Sequence, residues 1–79
     1  MPVEEILNLV KEYFEAEYQD TKRCIEKKYA WSNPKDLVKG AINRCLGIVQ
    51  FVQYLGVSYE DLDVYDEYKE KLEKLLTIE

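Results

Sequence analysis

Between Val3 and Tyr29, the residues Val3, Leu7, Val10, Phe14, Tyr18, Thr21, Ile25 and Tyr29 recur every three or four positions. At ~100° per residue they draw one stripe along a helix. A second row, Ile6, Leu9, Tyr13, Cys24 and Trp31, runs about a third of a turn away. One neighbour cannot cover both rows. No stretch alternates at period two over a useful length, which argues against strands. The fold class read from these patterns is all-α.

Local signals divide the chain. Pro2, with Glu4 and Glu5 in the first turn and Lys27 and Lys28 in the last, marks a helix over about 2–30, with charges in the order the helix dipole favours. The stretch WSNPKD interrupts it. Asn33 is placed to cap a second helix, Pro34 suits its first position, and Asp36 follows three residues after the cap. This helix is expected over about 34–55, closed by Gly56 as a left-handed cap. Ser58 with Asp61 forms an acidic variant of the capping box, and Val57 and Leu62 are spaced as a hydrophobic staple.

The third helix, about 59–76, gathers Leu62, Tyr65, Tyr68, Leu72, Leu75 and Leu76 on one face, with Glu67 to Lys71 and Glu70 to Lys74 as supporting pairs on the other. Short connections force consecutive helices to run antiparallel, so residues 1–79 read as one domain, a three-helix up-down-up antiparallel bundle.

A core of this size is only marginally stabilising, and burial through self-association is the simplest supplement. At ~1.5 Å per residue the first helix would span roughly 40 Å and the third roughly 28 Å, which leaves an overhang and points to a homodimer. The start, MPVEEI, carries acid where a signal peptide carries Lys or Arg. The longest apolar tract, residues 45–57, is broken by Gln50 and Gln53 and falls short of the ~20 residues a membrane helix needs. A cytoplasmic protein with no membrane partner is expected.

The second helix holds two glycines, Gly40 and Gly47. Its apolar half is Leu37, Val38, Ala41, Ile42, Cys45, Leu46, Ile48, Val49, Val52 and Leu55, enough to cover two neighbours. Opposite runs a strip of Gly40, Asn43, Gly47, Gln50 and Tyr54, all within about 80° on the wheel. Each glycine costs a helix interior about 0.8–1 kcal/mol relative to alanine. Close approach of another backbone would offset that cost, with Asn43 and Gln50 hydrogen-bonding across the contact and Tyr54 anchoring its end. The strip meets the same strip of a second copy, or another helix of the chain crosses it, or the glycines are tolerated surface residues in a protein with stability to spare.

Catalytic and metal chemistry find little support. The chain has no His, the commonest general base and nitrogen ligand, and its two cysteines neither close a zinc site nor form a C-x-x-C pair. Folding the first two helices about residues 32 and 33 puts Cys24 and Cys45 roughly 6 Å out of register, so both are read as buried, reduced hydrophobes. An EF-hand loop starting at Asp61 would need Gly and Glu where Asp66 and Leu72 stand. Glu12, Glu15, Glu17 and Asp20 read as an acidic patch facing water. No catalytic residue, metal site or cofactor is assigned, and the chain is not expected to be an enzyme.

The net charge of −5 is unevenly spread: −2 over residues 1–32, +2 over 33–56 and −5 over 57–79. Lys22, Arg23, Lys27, Lys28, Lys35, Lys39 and Arg44 surround the first turn of the bundle, with Tyr29 and Trp31 among them. Basic residues mixed with aromatics suit a phosphate backbone and stacked bases, which makes a small nucleic-acid-binding accessory protein the alternative function. The acidic total makes nucleic acid an unfavoured partner. The primary expectation is a homodimeric helical protein–protein interaction module, with the first two helices supplying the interface to a protein partner whose identity the residues do not give.

Overall fold

The computed structural model describes residues 2–27 and 33–77. They form an all-α, three-helix bundle of 42 × 17 × 16 Å, with no strand among the described residues. Helix α1 spans Val3–Lys27 and α2 spans Pro34–Tyr54. After a 3-10 turn over Tyr59–Leu62, α3 spans Val64–Lys74 and ends in a second 3-10 turn, Leu75–Thr77. The expected continuation of α1 to residue 30, together with Lys28, Tyr29 and Trp31, lies outside the described residues.

Both ends of α2 follow from side-chain and backbone chemistry. The Asn33 side chain accepts a hydrogen bond from Lys35 N–H at 2.8 Å, and Pro34 takes a position where no amide donor is needed. At the other end Gly56 adopts φ +99°, and the Gly56 and Val57 amides donate to Gln53 O and Val52 O. This is a Schellman closure, and it needs a residue without Cβ at its turn.

The third segment departs from the sequence reading. Ser58 accepts from Glu60 N–H at 3.3 Å, but the turn it caps is 3-10, and the α-helix begins only at Val64. Val57 and Leu62 are both buried against Ile6 and Val10, so this segment covers the start of α1. The physical reason is local: Asp61 N–H bonds back three residues to Ser58 O at 3.0 Å, the ring that a 3-10 turn closes, and α3 starts only after it.

The core falls into two clusters. Ile6, Val10 and Phe14 meet Cys45, Val49, Val52, Val57, Leu62 and Tyr68 at one end; at the other, Val38, Ala41, Leu72 and Leu75 pack with Ile25, Ile42 and Leu76 against them. This pairing puts the start of α1 beside the end of α2 and beside the start of α3, which is the up-down-up order.

One expected reason for a dimer is thereby corrected, and the two rows of α1 find the two neighbours they need. The overhang of α1 is capped by the 3-10 segment. The two rows of α1 serve two neighbours in the same chain: Phe14 of the first stacks edge-to-face on Tyr65 and Tyr68 of α3, while Tyr13 of the second lies beside Arg44 and Cys45 of α2. Leu9, also of the second row, remains exposed.

Candidate functional site

The outer face of α2 is set by the same periodicity that buries its inner face. Val38, Ala41, Cys45, Val49 and Val52 are buried, and the helix turns Asn43, Gly47, Gln50 and Tyr54 to solvent, with Gly40 half-buried beside them. A Cβ built on Gly47 would have nothing within 4 Å, and one on Gly40 would meet only the Arg44 guanidinium at 3.4 Å. Within the described residues no other helix crosses the strip at Gly47, so the crossing expected as one explanation of the glycines is absent there. Arg44 supplies a partial account of Gly40.

The face is more apolar than the sequence reading made it. Tyr54 is 94% exposed, Phe51 61%, Leu55 57% and Leu46 39%. Leu46 and Leu55 were expected in the buried half. They stand half a turn apart on the wheel, at the two edges of that half, and two neighbouring helices cover only the middle of it. Phe51 was assigned to neither side. It lies about 40° from Gly47, and that angle was the signal available.

An ion pair borders the face. Arg44 Nε donates to Glu17 Oε2 at 2.8 Å, tying α2 to α1. Glu17, expected in a solvated acidic patch, is therefore a half-shielded partner, its side chain only 16% exposed.

The basic cluster of the alternative function is partly neutralised in the same way. Lys22 pairs with Glu26 and Arg23 with Asp20, while Lys27, Lys35 and Lys39 form no ion pair with another described residue. Lys28 lies outside the described residues. Lys22 and Arg23 point about 100° apart on α1, so the cluster does not present one surface. The expected Glu67–Lys71 and Glu70–Lys74 pairs are both present.

Both cysteines are free; Cys45 is buried and Cys24, expected to be buried, is only half so. Burial pushes the Cys45 thiol up to about 11, with Glu17 adding to the shift and Arg44 opposing it. Burial likewise raises Tyr13 and Tyr68. All three groups have folded-state values above their unfolded ones, so each favours the fold fully below its unfolded pKa and loses that contribution as pH rises through the folded value. Urea unfolding followed by CD should show stability level up to about pH 9 and falling by on the order of 2–3 kcal/mol toward pH 11 through the Cys45 thiol. At pH 8 an aromatic disulfide reagent should titrate half-buried Cys24 first and the fully buried Cys45 in a separate, much slower phase. Equal rates would mean that Cys45 is not shielded.

Among the described residues no three Cys, Asp or Glu side chains converge as metal ligands, and no helix is long and apolar enough to cross a membrane. The chain matches no known family, no curated protein and no solved structure.

Proposed function

We propose that this chain is a small cytoplasmic helical module, without catalytic activity, that acts by protein–protein interaction and is homodimeric through the outer face of α2. The supporting observation is the pairing on that face of an open Gly47 with exposed Phe51 and Tyr54. A glycine that meets nothing in its own chain lowers helix stability without intramolecular compensation. Aromatic side chains raised around it supply contact area at low entropic cost. Nucleic-acid binding is the less favoured reading, because three of its candidate cations already hold acidic partners.

Light scattering across a concentration series tests the proposal, with a dimer of twice 9.4 kDa expected. Gly47→Leu should abolish that dimer and keep the helical CD signal. Gly47→Ala, whose Cβ has open space, should raise the stability of the fold itself by about 0.8–1 kcal/mol. A Gly47→Leu chain that still dimerises as the parent does would remove this face from the interface.

A further inference from the structure

We infer that the two copies pair antiparallel, α2 against α2, with the twofold axis at Gly47 and Tyr54 of each copy seated over Gly40 of the other; this deepens the homodimer reading and rests on it. Charge sets the direction. Residues 2–15 and 46–66 share one end of the bundle and hold eight acids against the single base Lys11. Residues 16–27 and 33–45 share the other end and hold six bases against four acids. Antiparallel pairing lays the acidic end of each copy beside the basic end of the other. Parallel pairing would bring the two acidic ends together, and like-charge juxtaposition selects against it.

The apolar groups say where the contact lies. Between Arg44 and Glu60 the chain carries no charge, and Phe51, Tyr54 and Leu55 are exposed within that run. A second copy is therefore met through these side chains, and with the axis at Gly47 the exposed Phe51 and Tyr54 of one copy face Asn43 and Gly40 of the other.

Spacing fixes the centre. Gly40, Gly47 and Tyr54 are seven residues apart, and a heptad drifts only ~20° on a straight helix, so the three stand in one line. About a twofold axis at Gly47, a residue seven positions before the centre faces the residue seven positions after it on the other copy. Gly40 and Tyr54 are those two residues. The Tyr54 ring, exposed in its own chain, comes over Gly40, where the Arg44 guanidinium stands 3.4 Å from the place of the missing Cβ and can take a phenol face. At the centre, helices ~8 Å apart with Cα atoms ~2.3 Å from each axis bring facing Cα atoms within about 3–4 Å, which only glycine permits.

Disulfide trapping tests the geometry. In a Cys24→Ser, Cys45→Ala background, the single variants Gly40→Cys and Tyr54→Cys are mixed in equal amounts and oxidised mildly. A single helix pair is a small contact, so concentrations extend to about 1 mM. The expected product is the mixed 40–54 bridge, at least tenfold over the 54–54 bridge, because equivalent positions lie roughly 21 Å apart in the antiparallel dimer. Predominance of 54–54 would establish the parallel arrangement and overturn the inference.

Spin labels on Lys35→Cys, well off the contact, give a second reading that leaves Tyr54 and Gly40 intact. They should lie roughly 36 Å apart, and a separation under roughly 20 Å would overturn the inference. A dimer by light scattering with neither the bridge nor this distance would overturn the geometry and leave the homodimer reading standing. A monomer at every concentration would overturn both.

Discussion

Phe14→Ala should cost about 3–5 kcal/mol of folding free energy, measured by urea unfolding with far-UV CD. Phe14 is fully buried, and its ring is edge-to-face with Tyr13, Tyr65 and Tyr68 at centroid distances of 6.4, 6.4 and 5.9 Å. Pairs of this kind add about 0.5–1.5 kcal/mol beyond the area they bury. At ~0.05–0.15 kcal/mol per residue the whole domain has roughly 4–12 kcal/mol, so the variant should be largely unfolded or close to its midpoint at 25 °C. Phe14→Leu, which refills most of the volume, should recover more than half of the loss. A loss below about 1 kcal/mol for Phe14→Ala would mean that α3 does not dock on α1 through this ring.

Leu72→Ala should cost about 2–5 kcal/mol, through the other cluster. Leu72 is fully buried against Val38, Ala41 and Leu75, and no other large buried side chain of α3 lies at that level. Hydrogen exchange separates the two variants. Leu72→Ala should lower protection first at the start of α2, around Val38 to Ile42, and leave the amides near Val49 and Val52 closer to the parent. Uniform loss of protection along α2 would show that the two clusters open as one unit.

The helix-terminating chemistry was legible in the residues. Asn33 and Pro34 start α2, Gly56 ends it, and both act through local hydrogen bonds that depend on nothing remote. The face of the third segment was legible too, since Leu62, Tyr68, Leu72 and Leu75 are all buried. Its geometry was not. Whether Ser58 opens an α-helix or a 3-10 turn depends on whether the first amides bond back three residues or four, and the capping residues suit both.

The strip of Gly40, Asn43, Gly47, Gln50 and Tyr54 was found from the wheel, but its surroundings were misjudged. Leu46 and Leu55 are apolar enough for a core, and only the positions of α1 and α3 determine that they lie beyond its edge. The Glu17–Arg44 pair, 27 residues apart in sequence, carried no signal in spacing alone.

The corner at Gly56 also bears on how fast the chain reaches its native state. Its closing bonds, Gly56 N–H to Gln53 O and Val57 N–H to Val52 O, span no more than five residues, and the Val57–Leu62 pair forms within the same short stretch. Loops this small close in ~10–100 ns, and helical bundles dominated by such nearby partners fold within microseconds to milliseconds. Under the dimer proposal, union of two copies is a bimolecular event with an ordinary rate constant of about 10⁵–10⁷ M⁻¹s⁻¹, a step distinct from the folding of each copy and dependent on concentration. A stopped-flow trace of refolding would accordingly carry its concentration dependence in its last component alone.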